Sequence, residues 1–304
     1  ENRHGLRRME DGMTGRDAPY SIRNLDRRDL LGFLSGHLLG FALDDFFDGA
    51  YLGAFDAGGS PSGFIFTGHE RDGDEVLIGV PHATREVPDQ RELELMLVKE
   101  AVRAVSPRAG TIRAAVYSDQ DREDRARLQD VYRAAGFRFF RDSTILSRSL
   151  EDVVPPEDGL QTLDIDRTGP ERMASIARDC AGRTVWAEID FDAYLSSWSS
   201  GSNFDAGLFR VVMQEGEPAG VMMARQDSLD AGEGAFYFLG VLPRFRRRGI
   251  GTAILTTGLS LLREKGCTRT RQTIPASDGP ALMMLEKAGY RVFDWARYFQ
   301  LDRS

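Results

Sequence analysis

Residues 236–252 read FYFLGVLPRFRRRGIGT, and this stretch decides how the second half of the chain is interpreted. An apolar run ends at Pro243, which stops a strand because proline has no backbone N–H for a sheet. Four of the next five residues are arginines. Gly249 and Gly251 follow, and the amphipathic pattern over 249–265 predicts a helix that begins at once. This order of strand, basic loop, glycines and helix predicts an anion site.

The physical reason is the chemistry of a helix start. Its first backbone N–H groups have no partner inside the helix, and the helix dipole favours negative charge there. Glycine lets a phosphate approach the backbone, and arginine adds charge-assisted hydrogen bonds. The spacing lacks both the Gly-Lys-Ser/Thr of a P-loop and the G-x-G-x-x-G of a dinucleotide fold. We therefore expect the pyrophosphate of a nucleotide-type coenzyme here.

Both halves of the chain predict the same order of strands and helices. The stretch EDVVPPEDG at 151–159 is rich in proline and acids, which predicts a linker. VYRAAGFRFF at 131–140 echoes MLEKAGYRVF at 284–293, and this echo indicates an internal duplication. The predicted organisation is a flexible tail at 1–17, a first domain at 18–150, the linker, and a second domain at 160–304.

Composition narrows the classes of partner. The net charge of −8 argues against nucleic acid, which requires a basic face. No run approaches the ~18 apolar residues that a membrane span needs, so no membrane partner is expected. Cys180 and Cys267 form neither a metal pattern nor a disulfide framework, which favours a cytoplasmic protein. All 4 histidines lie in the first third, so the second half must move protons without one.

The pattern Arg246-x-x-Gly249-x-Gly251, preceded by Val241-x-Pro243, resembles the acyl-CoA motif of the GCN5-related N-acetyltransferases. The stretch 278–290, which ends in EKAGY, resembles the next motif of that family. The resemblance implies an α/β fold, with two tandem domains that each have a mixed, mostly antiparallel sheet and helices on both faces. It implies acetyl-CoA as cofactor and direct attack by an amine. The residues expected to bind the cofactor are Leu239, Gly240, Val241, Arg246, Arg247, Arg248, Gly249, Ile250, Gly251, Thr252, Asp278 and Leu285.

The first half resembles the same fold but departs from the motif. Pro88 and Gln90 stand where the two glycines would be. Proline removes a donor N–H, and glutamine adds a side chain at the point of phosphate approach. We therefore expect a degenerate first domain that does not bind acyl-CoA.

The catalytic residues are harder to assign. An alkyl amine has a pKa near ~10.4, so it arrives charged and must lose a proton. Tyr237 lies two residues before Leu239, which predicts the same face of a strand. Glu233 lies close behind, and as a base it would need a raised pKa. Tyr237 is equally compatible with packing on the sheet, and Glu233 with a solvated turn. Leu285, where many relatives carry a tyrosine acid, cannot donate a proton.

The residues that bind the acceptor amine are expected within 179–205, where several acidic residues and two tryptophans occur. Carboxylates and aromatic rings suit a cationic amine through ion pairing and cation–π contact. An acidic, solvated helix with core tryptophans is the alternative interpretation. The predicted substrate-binding residues are Trp186, Glu188, Asp190, Trp198 and Tyr298.

These features predict an N-acetyltransferase that moves an acetyl group from acetyl-CoA to a primary amine, of a small molecule in the first instance. The active site lies in the second domain and contains no metal. Two alternatives stay open at this point. One is a non-catalytic protein that binds or senses acyl-CoA, and the other is an enzyme that acetylates a peptide or protein amine.

Overall fold

The computed structural model describes residues 20–25, 50–69, 75–84, 87–107, 109–118, 120–154, 160–182, 184, 186–187, 189–199, 204–227 and 231–302. The predicted tail at 1–17, a helix predicted at 27–39 and the substrate candidate Glu188 lie outside these ranges.

The first half alternates strands and helices largely as predicted. Its elements are β1 (Tyr20–Asn24), β2 (Ala50–Asp56), β3 (Pro61–His69), β4 (Glu75–Ile78), β5 (His82–Ala83), α1 (Gln90–Val105), β6 (Thr111–Tyr117), α2 (Arg122–Ala134) and β7 (Arg138–Ser149).

The second half repeats this order. Its elements are β8 (Thr162–Asp164), α3 (Ile165–Thr168), α4 (Pro170–Ala181), α5 (Phe191–Ser199), β9 (Phe209–Gln214), β10 (Glu217–Gln226), β11 (Glu233–Val241), α6 (Ile250–Glu264), β12 (Arg269–Pro275), α7 (Gly279–Lys287) and β13 (Arg291–Asp302). Short 3-10 turns occupy Ala206–Leu208 and Pro243–Phe245.

The described strands form one mixed sheet, in the order β1-β2-β3-β4-β6-β13-β7-β12-β11-β10-β9-β8, with β5 beside β3. The pairs β4/β6 and β11/β12 are parallel, and the other pairs are antiparallel. The predicted fold class is confirmed. The two expected sheets, however, are joined into a single one.

The join is an exchange of terminal strands. β13, the last strand of the chain, lies between β6 and β7, and β7 lies between β12 and β13. Pairing register places Tyr117, Ala296, Ser143 and Pro275 in one row across the sheet. The C-terminal ends of β6 and β12 therefore meet at the same level, and each half completes its sheet with a strand of the other.

Two matching bulges accompany this exchange. Phe140 is the unpaired extra residue of β7, and Phe293 is that of β13. The guanidinium carbon of Arg113 lies 4.5 Å from the Phe140 ring centroid, and that of Arg271 lies 4.6 Å from the Phe293 centroid. Each arginine reaches across the strand supplied by the other half. Because residues 140 and 293 also match in the sequence echo, the bulges support the internal duplication.

Helices cover both faces of the second half of the sheet. A Cβ added at Gly240 would lie 2.5 Å from Cβ of Cys180, which belongs to α4. A Cβ at Gly258 of α6 would lie 2.4 Å from Sδ of Met222. Met222 pairs with Leu239, the neighbour of Gly240. Because successive strand residues point to opposite faces, α4 and α6 lie on opposite sides.

Two local predictions need correction. The stretch 160–165 was expected to be a strand, but β8 ends at Asp164, whose carboxylate accepts a hydrogen bond from Arg167 N (3.0 Å) and so caps α3. The predicted linker packs at its described start, because Val153 is buried in the core of the second half and its carbonyl accepts from Arg263 (2.6 Å).

The strand exchange predicts that the second half does not fold alone. A fragment of residues 160–304 lacks both β6 and β7, so β12 loses one of its strand partners and β13 loses both, which exposes long backbone edges. We expect the fragment to aggregate or to show a non-cooperative thermal transition by circular dichroism. Coexpression with residues 1–159 is expected to restore a soluble 1:1 complex on size-exclusion chromatography. A monomeric fragment with cooperative unfolding would contradict this prediction.

Candidate active site

The second half contains a wedge-shaped gap between its two parallel strands. β11 and β12 pair only at Glu233–Arg269 and Gly234–Thr270. From Ala235 onward no described residue of β12 pairs with β11, so the strands diverge towards Val241 and Pro275. The divergence leaves backbone N–H and C=O groups of β11 facing the gap. A ligand with an amide-bearing arm can use these groups.

The loop after β11 carries the predicted anion site. A 3-10 turn at Pro243–Phe245 ends the strand. Arg247 has a φ of +62°, which is uncommon outside glycine, and Gly249 has a φ of +80°. Gly249 is the N-cap of α6, and the helix has no side-chain cap hydrogen bond. The first N–H groups of α6 thus lack the usual internal acceptor.

The four arginines of this loop have different tasks. Arg244 pairs with Glu217 (2.9 Å). Arg246 donates to the carbonyls of Val241 (3.0 Å) and Cys180 (2.7 Å). Arg247 and Arg248 are exposed and form no ion pair with any residue that the structure describes. The guanidinium groups of Arg247 and Arg248 can therefore pair with an anion.

The other predicted cofactor residues divide by burial. Leu239 and Val241 are half-buried on the diverging part of β11, Gly251 is half-buried and Thr252 is exposed at the start of α6. Gly240 and Ile250 are buried. Leu285 is buried in the core of the second half, beside residues such as Tyr290. Its role there is packing, so the structure does not place it with the loop.

The structure joins a predicted substrate residue to a predicted cofactor residue. Trp186 Nε1 donates to Asp278 Oδ2 (3.1 Å), while Asp278 Oδ1 accepts from Ala281 N (3.2 Å) and caps α7. The Trp186 ring also packs edge-on against Phe238 of β11, with centroids 6.3 Å apart. Trp186 therefore bridges the gap from β11 to the turn that follows β12.

Sequence reasoning missed Phe238 and Phe191. Their rings pack at 4.8 Å between centroids and continue the aromatic wall that Trp186 begins. An aromatic residue in an apolar strand carries no signal that distinguishes a cleft wall from ordinary core.

The predicted acids of the acceptor side are engaged locally. Asp190 Oδ1 accepts from the backbone N–H groups of Asp192 and Ala193, which caps α5. Asp192 pairs with Arg178. The Trp198 side chain lies outside the described part of the chain, although its backbone belongs to α5. The structure therefore does not assemble these residues into an open acidic pocket.

The predicted face of Tyr237 is wrong. β10 and β11 change register so that Met223 pairs with Phe238 and Ala224 with Phe236, which leaves Tyr237 as the extra residue of a bulge. A bulge breaks the alternation of side chains along a strand, so Tyr237 does not share a face with Leu239. Its ring lies 6.5 Å from that of Phe209.

Glu233 lies far from the loop. It begins β11, about 26 Å of strand before Val241 at ~3.3 Å per residue. Its carboxylate is held by Arg269 (2.9 Å) and Arg271 (3.3 Å) and is largely shielded from solvent. The ion pairs and the distance along the strand leave this carboxylate poorly placed to accept a proton from an amine near Gly240.

Two other tyrosines are also placed away from the gap. Tyr298 pairs with Ala115 and Arg141, within the part of the sheet built around β6. Tyr290 is buried, and its hydroxyl accepts from Thr270 Oγ1 (2.7 Å). Burial raises the pKa of Tyr290 to about 12, so it stays protonated in the core.

Cys180 is the thiol nearest to the gap, beneath Gly240. Burial raises its pKa to about 12, and Arg246 and Asp179 act in opposite directions with smaller effects. Because the thiolate is the nucleophile, a protonated thiol cannot form an acyl-cysteine at neutral pH.

This raised pKa predicts that Cys180 does not react in the native protein. An acid with a raised pKa keeps its proton until the pH nears that value, so iodoacetamide at pH 7–9 is expected to leave Cys180 unmodified. Peptide mass spectrometry after quenching measures the result, with protein unfolded in denaturant as the positive control. Rapid native labelling at pH 8 would show that the thiol is accessible and ionised.

The first half closes the corresponding helix start with its own side chain. Asp89 is the N-cap of α1, and its Oδ1 accepts from Glu92 N (2.9 Å). A carboxylate thus occupies the position that an anion would take at an uncapped helix. This contrast with Gly249 separates the two halves of the chain.

Two negative findings concern the described residues alone. None of the helices there is both long and apolar enough to cross a membrane. No three His, Cys, Asp or Glu side chains are grouped there as metal ligands.

Comparison with known proteins finds a family match in the second half. Residues 171–290 match the family model described as the acetyltransferase (GNAT) family. A GCN5-related N-acetyltransferase from Sphaerobacter thermophilus is similar over 87% of this chain and 82% of its own, with 17% identity and a TM-score of 0.62.

Two further structures share the fold. A tandem GNAT protein from the clavulanic acid biosynthesis pathway is similar over 93% of this chain and 98% of its own, with 12% identity and a TM-score of 0.60. A GCN5-related glucosamine N-acetyltransferase region of a fungal β-N-acetylglucosaminidase has 15% identity and a TM-score of 0.66; it covers 93% of this chain and 38% of that one. At these identities the likeness concerns the fold.

Proposed function

Because residues 171–290 form a domain of the acetyltransferase (GNAT) family, we propose that this chain transfers an acetyl group from acetyl-CoA to a primary amine. The observation that carries the proposal is the uncapped start of α6, which lies at the open end of the gap between β11 and β12. The acceptor that we favour is a small molecule.

The residues present fit the coenzyme. Among the described residues, none beyond the neighbours of Gly249 in the chain lies within 4 Å of the position that a Cβ there would take, so the approach to the helix start is open. Arg247 and Arg248 are the side chains proposed to contact the pyrophosphate, together with N–H groups of Gly249, Ile250 and Gly251. The edge of β11 at 239–241 is proposed to hold the pantetheine arm. The coenzyme, when bound, supplies the reactive thioester.

One site per chain is proposed, in the second half. The first half offers no equivalent, since Asp89 already neutralises the start of α1 and Pro88 lacks a donor. We assign to the first half a structural task, which is to supply β7 and to receive β13.

The acceptor amine is proposed to enter past Trp186 and Phe238. The half-buried Trp186 ring, which Phe238 supports from the core, offers a face for a cationic group, and the Asp278 carboxylate lies at the end of the same wall. The amine attacks the thioester carbon directly, because Cys180 near the gap keeps its proton. The new C–N bond forms as the C–S bond of the thioester breaks, and the sulfur would leave as the thiolate of coenzyme A. A backbone N–H of the β11 edge near Gly240 is the proposed donor to the oxyanion.

Proton removal is proposed to run through Tyr237 and water. Tyr237 and Glu233 are the two candidates on β11, and the ion pairs of Glu233 with Arg269 and Arg271 occupy its carboxylate. Tyr237 lies next to Phe238, which lines the aromatic wall. Water has to connect the amine to the tyrosine.

Non-catalytic binding of acyl-CoA is the second candidate function. The burial of Leu285 and the ion pairs of Glu233 favour it, because neither residue can act as acid or base there. Acetyl-CoA binding without transfer to small amines or to peptides would select this candidate. Transfer to peptides alone would select a protein or peptide acetyltransferase.

Calorimetric titration of acetyl-CoA tests the coenzyme site. We expect one site per chain and no binding of NAD. Gly249→Val is expected to weaken binding by roughly 10–100-fold, because its branched side chain blocks contacts with charged phosphate oxygens. Retention of wild-type affinity in a folded Gly249→Val variant would contradict the assignment.

Gly266→Val is the matched control for backbone strain. Gly266 has a φ of +95°, and nothing lies within 4 Å of its added Cβ, as at Gly249. It follows the other end of α6, about 22 Å away at ~1.5 Å per residue. Both variants are expected to lower the melting temperature similarly, while only Gly249→Val loses affinity.

A pair of variants tests proton transfer. Tyr237→Phe is expected to lower kcat by about 10²-fold without changing the dissociation constant of acetyl-CoA, because it removes one proton-relay group. Glu233→Gln is expected to lower stability, since it breaks two ion pairs, while kcat stays close to wild type. Steady-state kinetics and thermal melts measure both. A large kcat loss in Glu233→Gln with normal kcat in Tyr237→Phe would reverse the assignment.

A further inference from the structure

We propose that Arg246 is a positioning residue that ties the coenzyme loop to the acceptor wall through its side chain. The inference rests on the proposed function, because it assigns a role within the same site. The arginine that opens the family-like motif would then act on the protein's own carbonyls, while Arg247 and Arg248 face the phosphates.

The contacts of the guanidinium carry this inference. Nε donates to the carbonyl of Val241 (3.0 Å) and Nη2 to that of Cys180 (2.7 Å). Val241 is the last residue of β11, and Cys180 lies in the last turn of α4. Carbonyls in the last turn of a helix have no intrahelical donor, and the negative end of the helix dipole attracts a cation. One side chain thus fixes the ends of a strand and a helix together.

The same guanidinium belongs to the loop whose shape the coenzyme needs. Arg246 directly precedes Arg247, which is held at a φ of +62°, and Gly249 follows at a φ of +80°. A planar guanidinium can donate two hydrogen bonds at once in a fixed geometry, which an ammonium cannot reproduce. The conformation of the loop and the position of the end of α4 therefore depend on one side chain.

The chain that leaves α4 carries the acceptor wall. Trp186 follows the last residue of α4 by five positions and reaches Asp278 through its indole N–H. The segment is therefore anchored on the β11 side by Arg246 and on the β12 side by Asp278. α4 itself stays packed in the core, so loss of the first anchor loosens only its C-terminal end and the wall that follows, and a change at the coenzyme loop reaches the amine site.

The experiment follows Trp186 directly. In full-length protein, Trp198→Phe and Trp295→Phe leave Trp186 as the single tryptophan. Arg246→Met and Arg246→Lys are made in this background, with Arg248→Met as the matched loss of one positive charge from the same loop. Emission maximum and acrylamide quenching are measured without ligand. Acetyl-CoA affinity and the KM for an amine acceptor are then compared.

We expect both Arg246 variants to shift Trp186 emission to longer wavelength and to increase quenching at an unchanged melting cooperativity. Their acceptor KM is expected to rise about tenfold, along with a weaker affinity for acetyl-CoA. Arg248→Met is expected to weaken acetyl-CoA binding only. If Arg246→Lys does not restore the wild-type Trp186 emission, the planar guanidinium is needed and a positive charge alone is not enough.

Wild-type Trp186 emission and quenching in Arg246→Met would overturn the proposal, as would full recovery by Arg246→Lys. The fluorescence is measured on the free protein, so it tests the link that Arg246 makes between the loop and the wall even if no amine is acetylated. Absence of transfer by the wild-type chain would instead count against the proposed function.

Discussion

Two parallel strands that stay together for only two residue pairs determine the rest of the second half. Once β11 leaves β12, one edge of its backbone lacks a strand partner, and the sheet alone cannot satisfy it. The gap places the end of β11 beside the start of α6, where uncapped N–H groups point outward. Three features lie around this gap: the loop arginines, the glycine N-cap and the aromatic bridge.

The exchange of β7 and β13 gives the first half a structural task that does not depend on any coenzyme site of its own. Each half leaves one position of its sheet to the other, and a bulged phenylalanine under an arginine marks both crossings. The first half also closes the helix start that the second half leaves open, through Asp89. The second half nevertheless depends on the first for β7.

Local patterns predicted most of the fold. The pattern over 111–117 predicts a strand and that over 191–199 a helix, and the structure has both elements with these bounds, because periodicity and flanking turn residues are local properties. The bulge at Tyr237 was not predictable, since an extra residue in β11 depends on its pairing with β10. The exchange of β7 with β13 also escaped prediction, because either strand has an equally suitable pattern for its own half.

In the candidate site, too, local features were predictable and contacts between distant residues were not. The helix start after the basic loop was predictable, because its glycines and arginines lie together in sequence. The bridge from Trp186 to Asp278 joins residues 92 positions apart, and no spacing rule links an indole to a distant N-cap. Glu233 was misplaced for the opposite reason, because closeness in sequence to Gly240 conceals the length of an extended strand.

The position of β13 also affects how the chain acquires its structure during synthesis. β6 and β7 belong to the first half, yet the strand that separates them, β13, is made after all the other described strands. At about 5–20 residues per second, the roughly 150 residues that follow β7 take on the order of 10–30 s to translate. For most of that interval β7 has neither of its strand partners, and β6 lacks one of its two. The two halves therefore complete their shared sheet together, once β13 has been made, and not one after the other.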